Sequence, residues 1–245
     1  MSKQTGLGDQ LFIAGRDIGA DINAISNLST PRETLPGTDI TQSGMARLFG
    51  KRDAHGEFTS YFNPAADRSH LTLSPLPVAD VQLMYLRGAG VGSEALCMIG
   101  KQLDYAGSRG DDGSFTFNTT IDSNAFGADW CRQLTAGKVT HASGASTTAV
   151  DTTASAAFGF QAYLQAFSIG SGTATVTIED SADNVSFATL AGGVFTGVTA
   201  STTERLQSSS ATATVRRYIR VTTSGTFTNL VFAVAVNKND NTRVI

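Results

Sequence analysis

Thr173-Ala174-Thr175-Val176-Thr177-Ile178-Glu179 alternates side chains so that Ala174, Val176 and Ile178 fall on one face of an extended strand and the threonines on the other. Tyr218-Ile219-Arg220-Val221-Thr222 repeats the pattern. Thr and Val suit pleated, half-buried surfaces. Around these two segments the chain offers strand candidates at 158–169, 173–179, 186–190, 194–198, 204–207, 217–223 and 230–237. Asp180-Ser181-Ala182-Asp183-Asn184, Ala191-Gly192-Gly193 and Ser224-Gly225 read as turns between them. Strands at roughly 8–12-residue spacing predict a small β-sandwich.

Upstream, the stretch from Gly137 to Ala157 is small and polar with no periodicity, and it reads as a linker. It divides the chain into two expected domains, residues 1–150 and 151–245. The first reads mostly as strands with one or two short helices. Leu11-Phe12-Ile13 opens a strand, Ile18, Ile22 and Ile25 continue an apolar thread, and Pro31 and Pro36-Gly37 mark a loop. Thr41-Gln42-Ser43 reads as the cap of a short helix carrying Met45, Leu48 and Phe49, stopped by Gly50. A strand follows at 57–62, and a second short helix at 65–73. Val81 to Arg87 is apolar on both faces, as an interior strand should be, and 95–99 is another strand. Arg109-Gly110-Asp111-Asp112-Gly113 turns into Phe115 to Ile121, where Phe115, Phe117, Thr119 and Ile121 share a face.

Composition narrows the function classes. Of 245 residues, 41% are hydrophobic, enough for a core. Only 16% are charged, against roughly 25% in typical soluble domains. The 18 Lys+Arg against 21 Asp+Glu exclude a basic nucleic-acid binder. Residues 1–150 hold 12 basic and 15 acidic side chains, the whole net charge of −3, and the remainder holds six of each. Two cysteines do not make a disulfide scaffold, and no apolar stretch approaches the ~20 residues of a membrane span. Met1-Ser2-Lys3-Gln4-Thr5 lacks the apolar run of a signal peptide. The expectation is folding in a reducing cytoplasm, with Cys97 and Cys131 as buried thiols.

No catalytic, cofactor-binding or metal-ligating residue is expected. His55, His70 and His141 are far apart in sequence, with no second ligand at metal spacing, and read as exposed polar residues. Cys97 has no nearby His to activate it. Gly88-Ala89-Gly90-Val91-Gly92 misses the dinucleotide-loop spacing and precedes a strand rather than a helix. Asp111-Asp112 and Asp180 with Asp183 and Asn184 are acidic turns without the spacing of a calcium loop. Arg216, Arg217 and Arg220 form the densest basic group, either surface ion pairs or a glycan- or phosphate-facing patch. The sequons at Asn27, Asn118 and Asn184 matter only for a secreted chain. The pattern favours a structural, assembling or binding protein over an enzyme.

Three segments carry a resemblance. They are Gln4-Thr5-Gly6-Leu7-Gly8-Asp9-Gln10-Leu11-Phe12-Ile13-Ala14-Gly15-Arg16-Asp17-Ile18, then Asp39 through Asp53 with Gly56 through Pro64, and the Arg109 to Phe115 hairpin leading to Trp130 and Leu134-Thr135-Ala136-Gly137. Together they resemble the tail tube (major tail) proteins of long-tailed phages. Residues 151–245 look like the β-sandwich modules appended to such proteins. The resemblance implies a mainly β fold: a tail-tube-type β-sandwich or barrel with one or two short helices, followed by a second small β-sandwich. It implies a homo-oligomer of hexameric rings stacking into a tube, contacts with other phage tail proteins, and double-stranded DNA passing through the lumen without specific binding. Host-surface contact would fall to the second domain, with no membrane insertion. The location implied is the virion, after assembly in the host cytoplasm. Two other readings stay open: another virion β-protein (capsid decoration or baseplate), and a carbohydrate-binding or adhesin-like module.

Overall fold

The computed structural model describes residues 5–241. In chain order the strands are β1 (Gln10–Ile13), β2 (Arg16–Asp17), β3 (Ile22–Ser29), β4 (Arg32–Pro36), β5 (Arg47–Arg52), β6 (His55–Tyr61), β7 (Val81–Leu86), β8 (Glu94–Gln102), β9 (Ala106–Arg109) and β10 (Phe115–Ser123). They continue with β11 (Asp129–Gln133), β12 (Val139–His141), β13 (Val150–Asp151), β14 (Phe160–Ser168), β15 (Ser171–Ser181), β16 (Ala188–Val194), β17 (Thr202–Gln207), β18 (Tyr218–Thr228) and β19 (Leu230–Lys238). Among the described residues, helix is confined to a 3-10 turn at Gly19–Asp21 and to α1 (Ser69–Leu73). The expected mainly β class, with few helices, is what the chain adopts. The chain forms two compact units, one from Met1–Ala20, Gln82–Cys97 and Asp129–Ile245, the other from Asp21–Val81 and Met98–Ala128.

In the first unit, β14 lies between β17 and β19, β19 also pairs with β11 and β12, and β11 pairs with residues 94–97 of β8. A second sheet has the order β13-β18-β15-β16. The alternation of Ala174, Val176 and Ile178 on β15, and of Ile219 and Val221 on β18, puts all five into one buried cluster. Phe160, Ala162 and Leu164 of β14 and Phe232, Val234 and Val236 of β19 join the same cluster. Each Val, Leu, Ile or Phe buried this way contributes about 1.5–3 kcal/mol.

The opposite face of β14 and β19 is buried as well, through Gln161, Tyr163, Gln165, Ala233, Ala235 and Asn237. Here the antiparallel pair β1–β7 meets it. The Gly15 N–H donates to Gln165 Oε1 at 2.7 Å, and Gln165 Nε2 donates to the Gln82 carbonyl at 2.9 Å. Gln82 Nε2 donates in turn to the Leu164 carbonyl at 2.8 Å. These buried donors and acceptors let a polar face sit in a core, because each unmatched group would cost about 1–3 kcal/mol.

The expected boundary at residue 150 falls inside this unit. Leu134 and Val150 belong to the same apolar cluster as residues 160–236, and β12 pairs with β19. The small polar stretch 137–157 contributes β12 and β13 rather than an open linker. The separate strands expected at 186–190 and 194–198 become one strand, β16, plus an isolated bridge between Val198 and Ala174.

In the second unit, β3, β6 and β10 pair in that order, and β10 also takes β9 and residues 100–102 of β8. Asp21 organises the start of α1: its carboxylate accepts from Asn63 Nδ2 at 2.8 Å and from the Ser69 N–H at 3.0 Å. The helix expected at 65–73 therefore shrinks to five residues. The helix expected at 41–50 is absent, because Arg47–Arg52 pairs with Arg32–Pro36 as a hairpin. Three apolar residues at helical spacing are too few to outweigh a cross-strand partner. The face shared by Phe115, Phe117, Thr119 and Ile121 is real but graded, with Thr119 and Ile121 buried and Phe115 outward.

Replacing Gln165 by Leu strands the Gly15 N–H and leaves the Gln82 carbonyl with the Ala14 N–H, at 3.1 Å, as its remaining backbone donor. Urea unfolding should show a loss of roughly 1–3 kcal/mol with an unchanged m-value. An unaltered midpoint would show that these groups do not depend on Gln165.

Candidate functional site

The hairpin β4–β5 is the most exposed feature of the second unit. Nearly every residue from Pro31 to Phe49 lies open to solvent. Register puts Leu35 opposite Leu48 and Thr34 opposite Phe49, so the ribbon carries apolar side chains on both faces. Phe49 is 75% exposed, Met45 71% and Leu48 60%. Arg32 sits over the Phe49 ring at 5.2 Å and gives it partial cover. The tip is ordered by its own polar groups. The Gly37 N–H donates to the Ala46 carbonyl at 3.0 Å, and the Ala46 N–H to Thr38 Oγ1 at 2.9 Å. Asp39 accepts from the Thr41 hydroxyl and N–H, which hold its carboxyl below the usual range.

The base of the hairpin is tied down. The Asp53 N–H donates to the Pro31 carbonyl at 3.0 Å, and Ser123 Oγ donates to Asp53 Oδ1 at 3.1 Å. His55 Nδ1 lies 2.8 Å from Asp122 Oδ1, with Asp53 Oδ2 at 3.5 Å from the other ring nitrogen. Beyond the hairpin, β3 ends its sheet with β6 as its neighbour, and two register shifts interrupt that pairing.

The residues singled out from sequence are distributed rather than gathered. His70 contacts Tyr105 at 3.2 Å within a ring cluster that includes Phe62. His141 contacts Thr223 Oγ1 at 2.8 Å and packs on Phe232. Cys97 and Cys131 are both buried, and the Cys131 thiol donates to the Asp129 carbonyl at 3.5 Å. Gly88 and Gly92 take positive φ in a strand-to-strand turn. Asp112 and Asp183 are satisfied within their own turns, whereas Asp180 accepts from the Arg216 N–H at 2.8 Å. Asp112 Oδ1 accepts from the Ser114 N–H. The N–H groups of Ser186 and Val185, with the Ser181 hydroxyl, pull Asp183 down to about 2. Arg217 grips Asp151 through two hydrogen bonds at 2.7 and 2.6 Å, and Arg220 pairs with Glu179 at 2.7 Å. Arg216 pairs with Asp180 at 3.8 Å, so the basic group is a set of ion pairs. Among the described residues no cluster of three or more His, Cys, Asp or Glu is arranged to hold a metal ion.

One feature escaped the sequence reading. A cleft of about 660 Å³ opens in the first unit, with Trp130, Arg132, Glu94, Asp151 and Lys238 in its lining. On β11 the usual order is inverted: Asp129, Cys131 and Gln133 are buried, and Trp130 and Arg132 face outward. In Asp129-Trp130-Cys131-Arg132-Gln133 alternation groups Trp130 with Arg132 on one face, but nothing local says which face is outward.

No protein-family model and no curated protein sequence matches the chain. Among solved structures it is similar to a protein of the virion of a native gene transfer agent particle. That likeness has 14% identity, 52% of this chain, 98% of the other and a TM-score of 0.41. It is similar to the anti-feeding prophage cap, a tube-terminating cap, at 9% identity, 54% and 93% coverage and a TM-score of 0.44. It is also similar to the Dit protein of SPP1, described as a hub of the adsorption apparatus in phages that infect Gram-positive bacteria, at 9% identity, 94% and 99% coverage and a TM-score of 0.35.

His55 and His141 should titrate in opposite directions. The Asp122 hydrogen bond raises His55, so its contribution to stability is present below the unfolded value near 6.5 and fades as pH rises through the folded value. Burial lowers His141, so its neutral form suits the fold and stability falls as pH drops below about 6.5. Histidine NMR resonances followed against pH should place His55 above His141; the reverse order would contradict the hydrogen-bonding scheme.

Proposed function

We propose that this chain is a structural virion protein, a tail tube subunit of a long-tailed phage. In this reading it forms hexameric rings that stack into a tube around a channel for DNA. The observation that carries the reading is the hairpin β4–β5, which holds Leu35, Met45, Leu48 and Phe49 out in water. Apolar surface of this kind gains about 25 cal/mol per Å² when a partner covers it. A second copy of the chain is a partner always at hand, and a head-to-tail contact that repeats builds rings and open stacks. Strand β3, at the end of its sheet, offers unpaired backbone groups to a neighbour. The sequence resemblance to tail tube proteins covers the same region, Asp39 through Pro64.

The charge agrees with a channel that lets DNA pass. Each Lys or Arg set against a phosphate adds affinity, and the chain has a net charge of −3. The role is non-enzymatic, and its partners are other copies and other tail proteins. Residues 151–245 supply the surface offered to further tail proteins or to the host, although they share one unit with 82–97 and 129–150.

Electron microscopy of the protein assembled with its tail partners should show stacked sixfold rings. Leu48→Glu combined with Phe49→Ser should leave a folded protein, judged by circular dichroism, that no longer stacks. Discrete particles without a tube from the parent protein, or undiminished tubes from the double variant, would overturn the reading.

A further inference from the structure

The core face of the second unit runs out into aromatic rings that reach solvent. Phe58 and Ser60 of β6 are buried on this face, as are Thr119 and Ile121 of β10. The same period-2 pleat carried outward sets Phe62 and Phe115 on that face, where they are 40% and 42% exposed. The Phe62 N–H donates to the Phe115 carbonyl at 3.1 Å, and the two rings sit side by side with centroids 5.4 Å apart. Behind them Tyr105 stacks on Phe117 at 4.1 Å. His70 of α1 packs on Phe62 at 4.6 Å, with Nδ1 3.2 Å from the Tyr105 hydroxyl. A Cβ at Gly107 would come within 2.7 Å of the Phe117 ring, so the close seat of that ring depends on glycine there. The patch is preformed, and a partner that covers it sacrifices little side-chain freedom.

This patch and the ribbon β4–β5 lie at opposite ends of the β3–β6 pair. Ser29 stands opposite His55 where the ribbon leaves, and Ile22 stands opposite Ser60 beside the rings. The run from His55 to Tyr61 spans about 20 Å at ~3.3 Å per residue. Phe49, 75% exposed, is not folded back onto the rings of its own chain. A second copy can bring ribbon and rings together, and a head-to-tail contact of this kind repeats. The side-chain chemistry of the two ends matches. On β5 the pleat puts Arg47, Phe49 and Lys51 on one face, a ring between two cations. Residues 32–52 hold four basic and two acidic side chains, and residues 103–115, beside the rings, hold three acidic and one basic. Asp104 and Asp112 accept from the Thr120 and Ser114 N–H groups at 2.7 and 2.9 Å, which leaves their charge uncancelled by a cation. Asp67 and Arg68, close to Phe62 in the chain, are one of each sign and do not alter that balance. A basic ribbon with an exposed ring thus complements exposed rings with an acidic rim, and an acidic partner would be repelled by the same rim.

We propose that Phe62 and Phe115 of one copy receive Phe49 of the next, with Arg47 and Lys51 set against the turn 109–113. The proposal rests on the reading of the ribbon as an assembly arm and names the surface that takes it. Benzoylphenylalanine placed at position 49 of the full chain and irradiated in the assembly with the tail partners should crosslink to 61–70 or 103–117 of another copy, as mass spectrometry of the adducts reads it. A second measurement leaves every ring in place. Arg47→Glu with Lys51→Glu should cut the assembled fraction roughly tenfold or more, and Asp111→Lys added to the same chain should recover most of it. Arg47, Lys51 and Asp111 are all exposed, so these changes leave the core intact. Adducts confined to other segments or to a different tail protein, or no recovery by Asp111→Lys when the parent chain assembles, would overturn the docking while the assembly reading stands. A parent chain that forms no rings or stacks with its tail partners overturns the assembly reading itself and this docking with it.

Discussion

Strands β14 and β19 are buried on both faces, and the first unit is arranged around that constraint. One face is apolar and packs Phe160, Leu164, Phe232 and Val234 into the sandwich core. The other is largely polar, with Gln161, Tyr163, Gln165 and Asn237 out of water. Burying amides is tolerable only when their groups are matched. The exchange among Gly15, Gln82, Gln165 and Leu164 does that, and Tyr163 donates to Asp129 at 2.6 Å. The match is incomplete, since Gln82 Oε1 is buried without a partner. Such directional bonds fix which strand meets which face, where apolar contact alone would accept several registers.

The second unit resolves a different tension. A lone two-stranded ribbon is marginal in water, and β4–β5 is one. It persists because it is clamped at both ends: by the Asp39, Thr38 and Thr41 bonds at the tip, and by Pro31, Asp53, His55, Asp122 and Ser123 at the base. The ribbon between can then keep Leu48 and Phe49 exposed without collapsing onto its own unit. A preformed apolar arm loses less conformational entropy on docking than a disordered loop would.

The strands with strict alternation were legible beforehand. β7, the β9–β10 hairpin and the alternating centres of β15 and β18 lie where the residues pointed, because period 2 is a local property, but the turns expected at Asp180-Ser181, Ala191-Gly192-Gly193 and Ser224-Gly225 run on as parts of β15, β16 and β18. The helix expected at 41–50 is instead the turn and second strand of the 32–52 hairpin. Met45, Leu48 and Phe49 fit either period, and the partner that decides between them, Arg32–Pro36, lies across a turn. The Trp130 cleft was not legible, since its walls come from 91–94, 130–132, 148–153 and 236–240. Nothing local in any of these four segments announces the others.

The sequence by itself determined a mainly β chain, the faces of its alternating strands, and the turns at Asp112 and Asp183 held by their own backbone donors. Each of these follows from interactions within a few residues. Only the tertiary structure decided that residues on either side of 150 share one core, that 47–52 is a strand, and that Trp130 faces outward. Those outcomes depend on which distant strand supplies the partner, and hydrogen-bond pairing and burial of both faces of β14 and β19 settle that jointly, at separations no local pattern encodes.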